Sequence, residues 1–307
     1  MRPAAAALWL LVAFYSCTQR PCSAPQVLPG GSELWQGQAV PYCDDDPPPQ
    51  SLRFQLLVDT SGSMAGFHGS FTHLQEWVQQ SLSRFLRGGV AQEVQTCGFR
   101  MAGQQSEFQC GSAINLAKLQ PKGETALHLA IEKASATDLT LILTDGVAAS
   151  GAEGSSACAQ GVDAACVARA LRAAVQPRPG EAQDHLAGIW VVPIALMFDG
   201  KLYTELLASP KELNIDDALA KVKEDTGGVA AIADVGHDAV RRLMFRYSGP
   251  RVLVALLLSR DIATGRAFAA ELAAGSDTAG IRKISSLKEY QNGRGVLPPI
   301  EVFPGFS

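Results

Sequence analysis

Runs of positive charge are missing from this chain. Its 26 Lys and Arg and 30 Asp and Glu leave a formal net charge of −4. No Lys/Arg cluster stands out, which removes the electrostatic case for nucleic acid or an anionic membrane surface. After the first residues there is also no apolar run approaching the ~20 residues that a membrane-crossing helix requires. Val252 to Leu258 has the length of a buried strand. No Gly-x-Ser-x-Gly elbow follows a strand, which argues against a serine hydrolase. No internal repeat is visible. The five histidines, His68, His73, His128, His185 and His237, show no metal-ligand spacing and read as surface or packing residues. What is present is a 307-residue chain, 47% hydrophobic and 18% charged, which is the composition of a globular protein with a substantial core.

The first residues predict export. Met1-Arg2-Pro3 is a short positive start, and Ala4 to Phe14 is an uncharged apolar run of signal-peptide length, ended by Ser16-Cys17-Thr18-Gln19-Arg20. Residues 1–24 are therefore expected to be a signal peptide, with cleavage or lipidation between 17 and 24. Cys22-Ser23-Ala24 has small residues at the right spacing but is followed by Pro25. Phe14-Tyr15-Ser16-Cys17 is a conceivable lipoprotein signal, with a lipid anchor at Cys17. The expected location is secreted or in the cell envelope, at the periplasm or outer surface.

Cysteine counting fits that location. Seven cysteines are present, and removing or lipidating Cys17 leaves six, an even number suited to an oxidising compartment. Cys97 to Cys110 reads as a hairpin with Gly103-Gln104 as its two-residue loop. Counting outward from Ala102/Gln105, both Phe99/Phe108 and Cys97/Cys110 fall on non-hydrogen-bonded pairs, where Cα atoms lie closest. That separation is at the short end of what a disulfide accepts. Cys158 and Cys166 flank a short Gly-containing loop and form a second pair. Cys22 and Cys43 remain to staple the N-terminal arm. Free buried thiols are the alternative.

Residues 25–50 carry little hydrophobic periodicity and end in Asp44-Asp45-Asp46-Pro47-Pro48-Pro49, a stiff, solvated spacer. A domain boundary is placed there. Residues 51–260 then form an α/β domain, and 261–307 an extension whose role the sequence leaves open. Strands are predicted at Phe54–Val58, Leu139–Leu143, Gly188–Met197, Val229–Ala233 and Arg251–Leu258. Helices are predicted at Leu74–Leu86, where Trp77 reads as core, and at Thr125–Ala134, Ala164–Val175, Ile215–Lys223, His237–Tyr247 and Gly265–Ala273. Strands alternating with helices imply crossover connections and a mostly parallel, doubly wound sheet with helices on both faces.

Sites in such sheets form outside the carboxyl ends of the strands. At the end of the first strand stands Asp59-Thr60-Ser61-Gly62-Ser63, one carboxylate and two hydroxyls alternating on a tight loop. At the end of another stands Thr144-Asp145-Gly146. Between them Gly123-Glu124-Thr125-Ala126-Leu127 presents a hydroxyl just before a helix. Five oxygen donors without sulfur or imidazole suit a hard divalent cation, Mg²⁺ or Mn²⁺.

The set Asp59, Ser61, Ser63, Thr125 and Asp145 resembles the metal-ion-dependent adhesion site of von Willebrand factor A domains. The likeness covers roughly Leu52 to Arg246, and Ala218 to Asp234 is similar to that family's last helix, turn and strand. The resemblance implies a Rossmann-like sheet of about six strands with one antiparallel edge hairpin, here Val94 to Cys110. It implies that Ser61, Ser63 and Thr125 ligate directly, and Asp59 and Asp145 directly or through water. It further implies a non-enzymatic module gripping a protein partner that offers an acidic side chain. Two features depart from the family: the cysteine-bearing loop from Ala149 to Cys166, and the strand after Tyr247 with the helical piece that follows it, expected as an added edge or docking element. Two alternatives stay open. One is a hydrolase, since Asp59-Thr60-Ser61-Gly62 and Asp225-Thr226-Gly227-Gly228 loosely resemble aspartic-protease loops. The other is a structural subunit whose metal only stabilises the fold.

Overall fold

The computed structural model describes residues 52–86, 93–102, 105–113, 115–116, 118–134, 137–146, 164–175, 186–203, 231–237, 243–286 and 294–302. The expected signal peptide, Cys17, the arm with Cys22 and Cys43, Cys158, the helix at Ile215–Lys223 and the Asp225-Thr226-Gly227-Gly228 turn lie outside these residues.

Phe54 to Val58 is an unbroken run of buried side chains, as a strand covered on both faces requires. It lies in β1 (Arg53–Asp59), which pairs in parallel with β2 (Glu93–Ala102) on one side and β4 (Leu139–Thr144) on the other. Beyond β2 the edge strand β3 (Gln105–Gly111) runs antiparallel. Its register is the expected one: Ala102 faces Gln105, Phe99 faces Phe108 and Cys97 faces Cys110. The two cysteines are disulfide-bonded with Cα atoms 4.0 Å apart.

Alternation along the strands divides the interior in two. Phe54, Leu56 and Val58 of β1 and Leu139, Leu141 and Leu143 of β4 face one core. That core is closed by α1 (Phe71–Leu86) and α4 (Ile262–Ala273). Leu57 and Ile142 face the other core, closed by α2 (Leu127–Lys133) and α3 (Ala164–Val175). Trp77 is fully buried in the first core and donates its indole N–H to the Leu272 carbonyl at 3.0 Å, joining α1 to α4. Cys166, on α3, is buried and disulfide-bonded.

The far half of the sheet corrects the expectation of one antiparallel edge on an otherwise parallel sheet. The long strand β5 (Gly188–Tyr203) pairs antiparallel with β7 (Leu243–Ser259) over its whole length, and β7 lies between β4 and β5, antiparallel to both. The strand expected as an added edge is thus central. Its predecessor β6 (Ala231–His237) also pairs antiparallel with it. Only residues 238–242 separate the two strands. A parallel pair needs a crossover of a dozen or more residues, so this connection permits only a hairpin. The helix expected over His237–Tyr247 is replaced by the arms of that hairpin. There, pairing to neighbouring strands outweighs a helical spacing of apolar residues.

The described residues beyond 260 belong to the same sheet and core. Helix α4 is capped by Asp261, whose carboxylate accepts the Thr264 N–H at 2.7 Å. Strands β8 (Ile281–Lys283), β9 (Arg294–Val296) and β10 (Ile300–Val302) complete a ten-stranded mixed sheet. No helix among the described residues is long and apolar enough to cross a membrane.

One ion pair joins the amino ends of β1 and β4. Arg53 donates its backbone N–H to Asp138 Oδ2 at 2.9 Å and its Nη2 to Oδ1 at 2.8 Å. The guanidinium holds the Asp138 carboxyl below its ordinary pKa. The folded chain therefore gives up that proton more readily than the unfolded one. The stabilisation is complete above the unfolded value of about 4 and is lost as pH falls through the folded one. Both side chains are more than a third exposed, 40% and 36%, so Asp138→Asn is expected to cost only ~0.5–1 kcal/mol near neutrality. Urea denaturation at several pH values should show the variant and wild type converging in acid. A constant difference down to pH 2 would contradict the assignment.

Candidate metal centre

Because β1 and β4 run parallel and adjacent, their carboxyl ends open on the same edge of the sheet. Asp59 is the last residue of β1 and is fully buried. Asp145 follows Thr144, the last residue of β4, and its side chain is also fully buried. The Thr144 hydroxyl donates to Asp59 Oδ2 at 2.8 Å, while Asp59 Oδ1 accepts the Ser61 backbone N–H at 2.8 Å. The second contact bends the chain back so that the Ser61 and Ser63 hydroxyl oxygens lie 3.0 Å apart. Thr60 fastens the same turn to β2, donating from N and Oγ1 to the Phe99 carbonyl at 2.9 and 3.0 Å.

A third segment is stitched onto this turn. Lys122 N–H donates to the Thr60 carbonyl at 2.7 Å, and Gly62 N–H donates to the Gly123 carbonyl at 2.9 Å. Met101 and Glu124 exchange backbone bonds of 2.7 and 3.2 Å. The crossing demands glycine at 123. Its φ is +83°, and a Cβ there would stand 2.4 Å from the Met101 carbonyl oxygen. Two residues on, Thr125 is buried. The structure thus gathers the five residues at one edge: Asp59, Ser61 and Ser63 on one turn, Asp145 beside them through Thr144, and Thr125 on the loop tied to that turn.

The electrostatics of this edge are unbalanced toward negative charge. Burial, and secondarily the charge of Asp145, push the Asp59 carboxyl up to about 7, while the Ser61 N–H and hydroxyl and the Thr144 hydroxyl act in the opposite sense. A bound cation would relieve both main causes. The donor chemistry fits one: carboxylates and hydroxyls suit a hard divalent ion. The Ser61 and Ser63 hydroxyls are hydrogen-bonded to each other at 3.0 Å; two ligands at right angles around an ion with ~2.1 Å bonds lie about 2.9–3.0 Å apart, so an ion could take both oxygens in place of that bond with little movement. Among the described residues no group of three or more His, Cys, Asp or Glu side chains could hold a metal, so this set depends on its hydroxyls.

Arg251 is the residue that sequence reasoning missed. Its Nη2 lies 3.3 Å from Asp145 Oδ2, and its guanidinium stands over the Phe198 and Phe67 rings at 4.9 and 5.7 Å. Burial lowers its pKa from the ordinary value, with Asp145 and Tyr247 acting the other way. The antiparallel direction of β7 puts it there. Thr144 pairs with Val254, and the chain leading into Val254 continues past the end of β4 to Arg251. The available signal was a lone arginine opening an apolar run, Arg251-Val252-Leu253-Val254. Such a residue needs a buried anion.

No protein-family model matches this chain, and no curated protein does. Among solved structures it is similar to the pilus adhesin SpaC from Lactobacillus rhamnosus GG in its open conformation, at 13% identity and a TM-score of 0.29. The match covers 68% of this chain and 39% of the adhesin. At that score the likeness carries no argument.

Thr144→Val keeps the side-chain shape and removes a donor from a buried carboxylate. It is expected to lower stability in EDTA at neutral pH by ~1–3 kcal/mol, read from urea denaturation. Wild-type stability would mean that the Thr144–Asp59 bond does not hold the two strand ends together.

Proposed function

We propose that this chain is an exported binding module with a von Willebrand factor A-like, Rossmann-like α/β unit, and that it grips a protein partner through a divalent ion, Mg²⁺ or Mn²⁺, held by Asp59, Ser61, Ser63, Thr125 and Asp145. One observation carries the reading. Two fully buried carboxylates share a sheet edge with two hydroxyl oxygens spaced like neighbouring ligands of a small ion. The sequence motifs that supply these residues, Asp-x-Ser-x-Ser, Gly-x-Thr-x-Leu and Thr-Asp-Gly, support it independently.

In this account Ser61, Ser63 and Thr125 are direct ligands, and Asp59 and Asp145 bind directly or through water. Neutral hydroxyls among the ligands withdraw little charge from an ion bound there, which therefore supplies an electrophilic centre for a carboxylate of the partner. Asp59, bonded at both oxygens, sets the turn that presents the two serines. The role is adhesion or interaction, without catalysis. The signal-like start supports a location outside the cytoplasm, with Cys17 either lipidated or removed.

The melting temperature of the mature protein in EDTA, Mg²⁺, Mn²⁺ and Ca²⁺ tests the site. An ion that binds only the native state adds RT ln(1 + [L]/Kd), about 2.7 kcal/mol at a hundredfold excess over Kd. Wild type is expected to gain stability with Mg²⁺ or Mn²⁺, and Asp59→Ala and Asp145→Ala to gain none over their own EDTA baselines. No gain in wild type would sink the reading.

A further inference from the structure

We infer that Arg251 is a built-in cation that competes with the proposed divalent ion for Asp145, holding the edge together when no ion is bound and weakening the affinity for one. The inference rests on the metal-site reading above. It begins from β7. Between Ser248, the last residue paired to β6, and Val254, the first paired to β4, this strand has β5 on one side and no strand pairing on the other among the described residues. Gly249-Pro250 occupies that interval, where Pro250 need not donate to a neighbour on that open side. Arg251 follows at once, level with the carboxyl edge where β1 and β4 end.

The surroundings of Arg251 are built for charge. Its side chain is 14% exposed and that of Asp145 not at all, so the pair interacts with little screening. Phe198 comes from β5 and Phe67 from the 3-10 segment Gly62–Ser70, which also carries Ser63. Their faces flank the guanidinium and favour a cation at that spot. Among the described residues its buried Nη1 has no hydrogen-bond partner. The guanidinium is therefore held by charge and ring faces more than by a complete hydrogen-bond set.

Charge counting gives the direction of the effect. With both carboxylates ionised, as a bound ion would hold them, Asp59 and Asp145 with Arg251 carry −1 before a divalent ion is added and +1 after. Without Arg251 the same steps run from −2 to neutral. Removing the guanidinium therefore removes repulsion against the incoming ion and takes from the empty edge the cation that stands beside Asp145.

The test titrates the full mature chain with Mn²⁺, following free Mn²⁺ by its electron paramagnetic resonance signal, alongside melting in EDTA. Arg251→Met is expected to bind Mn²⁺ about tenfold tighter or more, to melt below wild type in EDTA, and to gain more than wild type from saturating Mn²⁺. Arg251→Lys keeps the charge and is expected to bind Mn²⁺ as wild type does. Should Arg251→Met not fold, Arg251→Gln carries the same neutral charge with hydrogen-bonding groups and replaces it. Mn²⁺ binding to the neutral variant no tighter than to wild type would overturn the role of Arg251 and leave the metal site standing. No Mn²⁺ binding by any of the proteins would overturn both.

Discussion

Two carboxylates, Asp59 and Asp145, are buried side by side at the edge where β1 and β4 end, and the local structure is organised around keeping them there. Burying an ionised carboxylate without compensation is far too costly for a domain of ordinary stability. Each is therefore met by donors or by charge. The Ser61 N–H and the Thr144 hydroxyl bond to Asp59, and the Arg251 guanidinium stands beside Asp145. The field of Asp145 is still felt at Asp59, and this is the imbalance that the proposed divalent ion would relieve. The backbone serves the same end. Gly62, Thr60, Met101 and the 122–124 segment are tied to one another, which fixes the loop that leads into Thr125.

The strand order supplies what a purely parallel sheet would not. Parallel strands bring only their carboxyl ends to this edge. An antiparallel strand inserted between β4 and β5 instead brings its middle, and β7 uses that passage to deliver Arg251. The insertion also binds the far half of the molecule to the centre, because β7 pairs with β4, β5 and β6. Helix α4 then covers the same face as α1, with Phe268 set between Phe54 and Phe85 at centroid distances of 5.6 and 5.4 Å.

Local patterns made much of this legible. The buried runs at Phe54–Val58 and Leu139–Leu143, the helix Ala164–Val175 and the hairpin register at Cys97–Cys110 all depend on neighbours in sequence, and the structure agrees with each. That Asp59, Ser61, Ser63 and Asp145 stand at the carboxyl ends of β1 and β4 was legible for the same reason, since each sits in a short motif next to a strand end. What was not legible is non-local. Nothing in the residues 243–259 says which strands will flank them, and the apolar spacing around His237–Tyr247 fits a helix as well as the ends of two successive strands. The pairing partner of Arg251 follows only once that strand order is known.

The most direct test of the central claim is diffraction from crystals of the mature protein grown with Mn²⁺, collected to bring out the anomalous signal of manganese. The account predicts a single strong peak at the β1–β4 edge, about 2.1–2.3 Å from the hydroxyl oxygens of Ser61 and Ser63. A fully ordered edge with no peak there, at a Mn²⁺ concentration that occupies sites elsewhere on the molecule, would contradict it.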